Sequence, residues 1–549
     1  MAGGLLNIVS VGNNNIILTG NPTKTFFNVT YSKYTNFGLQ KFRIDYDGQR
    51  ELRLNESSTF SFKMPRYAEL LMDTYIVVTL PDIYSPIHQP VFDNKDGTAG
   101  EWAPYEFRWI DNIGAMMVQE VEITSGNMSL QKYSGNYIAS VVERDFSEEK
   151  KNLFNEMTGN VGELKDPANS NNRINTYPNA LYTTSTDGSE PSIRGRNIYI
   201  PLGAWFTMSP GCAIPLIALQ YNEIRINVTL RPIRDLFQVR DIFDYRNNFP
   251  YVKPDFNENR FQMYRYLQTP PSFDLTSSNY TNQTTTWNAD VHLLSTYCFL
   301  SKEEATKFAR EDHVYLVKDV HEYNFENITG AKKIKVESSG MVSSWMFYFQ
   351  RNDVNLRNEW NNYTNWPYRT LPQNTEVYSN DDVEGNFPNV HPSNLVFSGF
   401  SFTGNFNVQN RKHILETFGI VLDGDYRENL LTRGVYDYIE KYNRTKGNAK
   451  DGLYCYNFCL NSHLSEYQPS GAINLSRFKT IELELSTYVP PIDELNSSFD
   501  LICDVDGNPV GVRKANWRLY DYNYNMTLLE ERYNVISFVG GVAGMMYAK

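Results

Sequence analysis

The chain has 549 residues, a formal net charge of −12 and no block of Lys and Arg, which argues against direct nucleic-acid binding. Its length exceeds what one compact core usually holds, so two domains are expected. Aromatic residues make up 14% of the chain. Because aromatic side chains suit pleated, half-buried surfaces, the composition favours strands.

The N-terminal residues contain a short apolar run, Leu5–Val11, well before the first basic residue, Lys24. A secretory leader carries its cationic residues ahead of the apolar region, and a membrane span needs about 18 apolar residues. Neither is expected here. We interpret residues 1–24 as an arm and expect the first strand near residues 25–29, with Asn28 in that strand.

Strands are predicted where apolar and polar residues alternate, because a period of two places the two sets on opposite faces of a sheet. The segments with such patterns or with apolar, β-branched and aromatic runs are, in chain order, 75–80, 118–123, 197–200, 224–230, 334–336, 345–349 and 481–485. The dipeptide Asp-Gly, which tolerates the positive φ of tight turns, indicates frequent chain reversal between these strands. It begins at residues 47, 96, 187, 423, 451 and 506.

The sequence predicts few helices. We predict them at residues 146–157, at residues 302–310 after a capping box that begins at Ser301, and at residues 428–442. Many strands with few helices favour β-sandwiches over a βαβ architecture.

The chain also looks doubled. The regular strands 224–230 and 481–485 are each followed by proline, and their offset is 257 residues (481 minus 224). A segment rich in Pro, Asn and Thr separates the halves. The predicted division is an arm at 1–24, a first sandwich at 25–234, a linker at 235–287, a second sandwich at 288–534 and a tail at 535–549.

The motifs of catalysis and cofactor binding are missing from the sequence. It contains no P-loop, no HExxH and no GxSxG, and its five cysteines form no CxxC pair. The segment 504–507 resembles part of a calcium loop but lacks the distant Glu, so a turn is predicted. We therefore predict no catalytic residue, no cofactor and no metal ligand, and we expect free thiols in a reducing compartment.

Asn-X-Ser/Thr sequons occur twelve times, against about eight expected by chance from the Asn, Ser and Thr content. Without a leader, the usual glycosylation route is not expected. The best glycosylation candidates are the sequons in loop-like segments, at Asn279, Asn282 and Asn362.

Five landmarks resemble, in the right order, the major capsid proteins of nucleocytoplasmic large DNA viruses. They are MAGGLL with Thr19–Pro22 and Thr25–Phe27; Pro215–Glu223; Phe308-Ala309 with His313–Leu316; Pro469–Arg477; and Tyr533–Val535 with Gly541, Gly544 and Tyr547. Asn222 stands where many members have His, and Val314 where Glu is common. The landmarks span the whole chain, and its length and long loops look more like the giant-virus branch.

The resemblance implies an all-β fold of two tandem eight-stranded jelly rolls, with a few short helices and long loops. It also implies a structural, non-enzymatic role as a major capsid protein in the virion. Homotrimeric, pseudo-hexagonal capsomers would tile an icosahedral shell that is assembled in the host cytoplasm. The implied partners are neighbouring capsomers, minor capsid and penton proteins, and an internal viral membrane at the inner face. The long loops would face outward, and residues 1–20 inward.

Two other functions stay open from the sequence. A minor capsid or spike paralogue would share the fold but have few copies per virion. A carbohydrate-binding or carbohydrate-active β-sandwich could use exposed aromatic residues and a pair of carboxylates, whose spacing across strands one sequence does not reveal.

Overall fold

The structure is a computed structural model that describes most of the chain. The described residues are 16–48, 51–88, 103–178, 180, 189–242, 250–270, 280–369, 412–448, 450–463, 468–490, 499–503, 509–514 and 522–547.

Eight strands form the first sandwich. They are β1 (Phe37–Ile44), β2 (Ser58–Lys63), β3 (Leu70–Leu80), β4 (Val118–Ser125), β5 (Met128–Tyr133), β6 (Arg196–Pro201), β7 (Ile224–Leu230) and β8 (His292–Leu300). One sheet has the order β1-β8-β3-β6 and the other β2-β7-β4-β5, with antiparallel pairing throughout. Apolar side chains of β3 and β7 share one core between the sheets. This strand order is that of a jelly roll.

Eight further strands repeat that topology. They are β9 (His313–Ile328), β10 (Ala331–Lys335), β11 (Met341–Arg351), β12 (Leu415–Leu422), β13 (Asp425–Thr432), β14 (Leu453–Asn457), β15 (Ile481–Thr487) and β16 (Tyr524–Val539). The sheets have the orders β9-β16-β11-β14 and β10-β15-β12-β13. Each strand thus occupies the position of the strand eight places earlier. The prediction of two eight-stranded jelly rolls is confirmed, and β7 and β15 are the two regular strands that revealed the doubling.

All seven predicted strand segments overlap these strands. The shorter strands are Ile87–His88, Ala103–Pro104, Phe107–Trp109, Ile214–Pro215, Phe237–Arg240, Tyr251–Val252, Ile473–Asn474, Phe499–Cys503, Pro509–Lys514 and Val542–Met545. The helices are α1 (Ile16–Thr19), α2 (Ile113–Met117), α3 (Gly135–Asp145), α4 (Glu148–Thr158), α5 (Gly162–Lys165), α6 (Trp205–Met208), α7 (Lys302–Arg310) and α8 (Glu440–Arg444), and a wider helical turn, Val435–Ile439, leads into α8.

The predicted boundary at residue 288 is wrong. Strand β8 lies beyond that boundary, yet it pairs with β1 from Phe37 to Ile44 and with β3 on its other side. It is therefore the last strand of the first jelly roll, and the second roll begins with β9. A jelly roll closes when its last strand pairs with its first. The boundary between the two rolls is therefore set by pairing between strands that are distant in the sequence.

The predicted linker at 235–287 is also wrong. Phe237–Arg240 pairs with both Phe107–Trp109 and Tyr251–Val252, and Tyr266 is fully buried. Hydrogen bonding to a distant segment gives order to a stretch that lacks periodicity. The predicted tail at 535–549 likewise begins inside β16, which pairs with Val542–Met545.

The chain enters the first sheet later than predicted. Residues 25–29 form no strand, Asn28 is exposed, and the first strand begins at Phe37. Among the predicted helices, α4 and α7 are confirmed, and Ser301 caps α7 by accepting a bond from the Glu304 N–H at 3.5 Å.

The first part of the predicted helix at 428–442 is wrong. Residue Glu428 lies in β13, because Asp423 and Gly424 adopt the positive φ of a tight hairpin that returns the chain alongside β12. The helical part begins at Val435. Local propensity is overridden here by strand pairing. None of the helices in the described part of the chain is long and apolar enough to cross a membrane.

Candidate functional site

The five longest connections of the two rolls emerge at one end of the molecule. Successive strands run antiparallel, so the segments that follow β1, β3, β5 and β7 share an end, and so do those after β9, β11, β13 and β15. We call the described parts of these segments the loop cap; its long members lie within 81–117, 134–195, 231–291, 352–414, 433–452 and 488–523. We call the opposite end the base. Connecting segments of this length usually carry function.

The loop cap joins the two rolls. The Asn358 side chain donates to the carbonyl oxygens of Arg234 and Phe237 at 2.8 and 2.9 Å. The Trp360 indole N–H donates to the carbonyl oxygen of Asp235 at 3.0 Å. These bonds satisfy backbone groups of the first roll with side chains of the second, which fixes the relative position of the two segments.

A charged cavity of about 290 Å³ lies in the loop cap. Asp111 accepts a bond from Lys165 at 3.0 Å and further bonds from Arg369 and Asn361. Burial favours the neutral carboxyl, but Arg369 and Lys165 outweigh it and lower the pKa of Asp111. Burial and Arg369 together place the pKa of Lys450 well below its usual value. The cavity is lined by five basic and five acidic side chains, and the ion pairs Arg108–Glu359 and Arg369–Asp111 cross from one roll to the other.

A second buried ion cluster lies where α3 packs on the second roll. Arg144 contacts Asp145 at 2.8 Å and Glu531 at 2.9 Å, and all three side chains are at most 1% exposed. The hydroxyl groups of Tyr137 and Ser344 both donate to the Glu531 carboxylate, at 3.1 and 2.6 Å respectively. Burial would raise the pKa of Glu531, but Arg144 and Lys318 outweigh it and hold the pKa at about 2. The carboxylate is therefore charged and fully hydrogen-bonded.

Exposed large apolar side chains are concentrated at the base and in the segment before the first strand. They include Ile16, Ile17, Leu18, Phe26, Phe27, Val29, Tyr31 and Tyr34 before the first strand, and Tyr67, Met128, Tyr221, Val314, Leu316, Met341, Leu460, Val539, Val542, Met546 and Tyr547 elsewhere. Apolar surface of this extent marks an interaction site.

The C-terminal hairpin closes the base. The backbone N–H groups of Gln220 and Tyr221 both donate to the carbonyl oxygen of Gly541 at 3.1 Å. Gly541 has a φ of +84°, and a Cβ there would lie 2.7 Å from the Tyr221 ring. Glycine is required at this position both by backbone conformation and by close approach.

The three glycosylation candidates have different surroundings. Asn279 lies outside the described residues. Asn282 is exposed, and its side-chain oxygen accepts bonds from the backbone and hydroxyl of Thr284. Asn362 is 1% exposed, and its side-chain nitrogen donates to the carbonyl oxygen of Trp366 at 2.8 Å. The structure contradicts the prediction for Asn362, because the folded chain leaves no room for a sugar there.

The sequence reasoning missed Arg144 and Glu531. The one available signal was the charged run 530–532 inside an otherwise uncharged strand, since charges buried in a sheet are tolerated only when paired. Four cysteines, Cys212, Cys298, Cys455 and Cys459, are free, and all but Cys212 are buried, as predicted. Across the described segments, no group of three or more His, Cys, Asp or Glu side chains could hold a metal ion.

Two side-by-side jelly rolls with interlocked loops define a double jelly-roll protein. Residues 25–267 match the family model described as the N-terminus of the major capsid protein, and residues 304–544 match the large eukaryotic DNA virus major capsid protein. The chain belongs to this family of major capsid proteins. It is accordingly a structural capsid subunit and not an enzyme.

Relatives of full length support this assignment. The chain is 23% identical to the major capsid protein of Phaeocystis pouchetii virus and 22% identical to that of Paramecium bursaria Chlorella virus 1, in each case over all of both chains. It is 31% identical to the major capsid protein of Chrysochromulina ericina virus over 42% of this chain and 41% of that one.

Solved structures show the same fold. The subunit in a quasi-atomic model of the PBCV-1 virus capsid matches with a TM-score of 0.59 at 19% identity, over 96% of this chain and all of that one. The Faustovirus major capsid protein matches with a TM-score of 0.61 at 13% identity, over 97% and 98%.

Proposed function

We propose that three copies of this chain form a capsomer with a pseudo-hexagonal outline, the repeating unit of an icosahedral shell. The observation that carries this proposal is the internal repeat. Each chain supplies two jelly rolls of the same topology, so a closed ring of three chains has six similar units. Such a ring packs on a hexagonal lattice beside neighbouring capsomers.

The mass of the purified protein in solution tests the trimer. Light scattering coupled to size exclusion should give about 190 kDa, three times the 63.5 kDa of one chain. Negative-stain images should show a hexagonal outline with three-fold symmetry. A monomer at micromolar concentration would contradict the proposal.

We assign the loop cap to the outside of the shell and the base to the inside. The apolar side chains of the base and of residues 16–36 would contact minor capsid proteins, penton proteins at the vertices and the internal membrane. The four free cysteines are consistent with assembly in the reducing host cytoplasm. Protease treatment of intact virions should cut in the loop cap and leave residues 16–36 uncut; cleavage of that segment in intact particles would reverse the orientation.

Copy number separates a major capsid protein from a minor paralogue with the same fold. Quantitative mass spectrometry of purified virions should find this chain as the most abundant shell protein. A few copies per particle would instead assign it to a vertex or a spike.

Asn282 is the described glycosylation candidate that remains. Its exposure on the loop cap and its intact sequon support modification if the acceptor meets a transferase. Mass spectrometry of the virion protein should find a glycan on peptides that contain Asn282 and none on Asn362, and Asn282→Gln should remove it.

A further inference from the structure

The two jelly rolls present equivalent sheet faces, of which one is covered and the other is partly open. In the second roll, Trp345 and Phe347 of β11 point into the sandwich, so the alternate residues point outward. The outward residues Ser344, Met346 and Leu529 are nevertheless fully buried. The first roll covers this face of the β9-β16-β11-β14 sheet.

Helix α3 provides much of the cover. It lies in the connection between β5 and β6 of the first roll and binds Glu531 through Tyr137 and Arg144. On its other side, the N–H of Gly447 donates to the carbonyl oxygen of Arg144 at 2.8 Å. Helix α3 is thus held between the outer face of the second sheet and the connection between β13 and β14.

The equivalent face of the first roll is partly open: Val77 and Thr296 near its centre are buried, but other outward residues are not. In the β1-β8-β3-β6 sheet, Ile76 and Ile200 point into the core, and their neighbours point outward. Among the outward residues, Lys41 and Arg43 are exposed, and Tyr199 retains 38% of its accessible surface.

An apolar groove of about 630 Å³ runs along this open face. One wall is the sheet, with Tyr75 and Pro201. The other wall is formed by α3 and α4 and includes Ile138, Val141 and Leu153, and Lys446 and His463 of the second roll lie at one end. Leu153 is 59% exposed, so its side chain is available for contact. Strands β3 and β6, which line the groove, are the topological equivalents of β11 and β14 in the sheet that α3 covers.

The second roll contains a counterpart of α3 in the equivalent connection. The connection between β13 and β14 contains the helical segment 435–444. Three large side chains, Tyr438, Ile439 and Tyr442, lie on one face of this segment and are 58%, 52% and 90% exposed. Residues one turn apart share a helix face, so these side chains form a single apolar ridge.

We propose that the 435–444 helix of one copy docks into the apolar groove on the first roll of a second copy. This contact repeats between chains the packing that α3 makes within one chain. The inference rests on the proposed trimer, of which it names the interface. Each chain offers one ridge and one groove, so the contact is head-to-tail. The contact closes into a ring of three chains if each roll is rotated by about 60° relative to the preceding roll.

Substitutions on the two sides of the contact test this proposal. Tyr442→Asp changes the ridge, Leu153→Asp changes the groove, and Ile174→Asp, at an 84% exposed site elsewhere in the loop cap, is the matched control. All three sites are exposed in the single chain, so circular dichroism of each variant should show native secondary structure. The first two substitutions should raise the concentration at which half the chains are trimeric by about tenfold or more, and the control should leave it unchanged.

A cross-link distinguishes this interface from any other trimer. The double variant Tyr442→Cys with Leu153→Cys should give covalent dimers and trimers on a non-reducing gel, and neither single variant should. A wild-type monomer would overturn the proposed function itself. A wild-type trimer that survives both Asp substitutions and gives no cross-link would overturn the docking site alone. If an added fatty acid or detergent binds in the groove and no trimers form, the groove is instead a site for an apolar small molecule.

Discussion

At the scale of single residues, the contact between the rolls depends on charges that have no access to water. Glu531 accepts bonds from Tyr137, Ser344 and Arg144, and Asp145 completes the pairing of Arg144. A charge buried in this way is tolerated only when every partner is present, and removal of one partner leaves the others uncompensated. Such a cluster specifies one docking geometry.

Glu531→Gln should destabilise the folded chain by about 3–5 kcal/mol, because the substitution leaves Arg144 with one carboxylate instead of two in a buried site. The free energy of unfolding in urea measures this effect. Glu326→Gln, at an exposed position in β9, is the control and should change the free energy by less than about 0.5 kcal/mol. Equal effects of the two substitutions would show that the buried cluster contributes nothing specific.

The same carboxylate predicts a pH dependence. The pKa of Glu531 is about 2 in the folded chain, below the ordinary value of 4.5. A carboxyl whose pKa is lowered by folding stabilises the folded state above its unfolded pKa, and this contribution is lost as pH falls toward the folded pKa. The difference in unfolding free energy between wild type and Glu531→Gln should therefore shrink between about pH 4.5 and pH 2. A difference that stays constant over that range would contradict the assignment.

At the scale of elements, the base depends on a hairpin turn that docks against the first roll. Gly540 and Gly541 both have positive φ, but only Gly541 lies against Tyr221 and accepts bonds from residues 220 and 221. The turn therefore connects the last strands of the second roll to the segment before β7.

Gly541→Ala should loosen this contact more than Gly540→Ala. Both substitutions strain the backbone by about 1 kcal/mol, but a Cβ on Gly541 also displaces the Tyr221 ring and disturbs the two hydrogen bonds. Hydrogen exchange of the amides of Gln220 and Tyr221 should accelerate about tenfold in Gly541→Ala alone. Equal acceleration in both variants would mean that strain, and not contact, dominates.

At the scale of the whole molecule, the two jelly rolls share one core. The larger apolar cluster joins residues of the first roll, such as Tyr137 and Ile138, to Met346, Tyr348 and Leu529 of the second. Shared burial couples the stability of the two halves, although each has the topology of a complete sandwich.

The chain should therefore unfold as one cooperative unit. Calorimetry at a fixed protein concentration should show a single transition, and Glu531→Gln should shift the whole transition to lower temperature. Two transitions, of which only one responds to the substitution, would mean that the rolls unfold independently.

The sequence by itself determined the strands, the doubling and the family. Alternation within 224–230 and 481–485 is a local property, and it predicted both strands and their equivalent positions. The five landmarks predicted the double jelly roll and its capsid role. The absence of catalytic motifs from the sequence agreed with that role.

Only the tertiary structure decided which strand closes each roll, that Asn362 is buried and that Arg144 pairs with Glu531. The partners of β8 lie more than 200 residues earlier in the chain, and Arg144 and Glu531 are 387 residues apart. Burial of Asn362 depends likewise on packing between distant loops. Periodicity reports which face of a strand is apolar, but pairing between distant segments depends on closure of the whole sandwich, which no local pattern encodes.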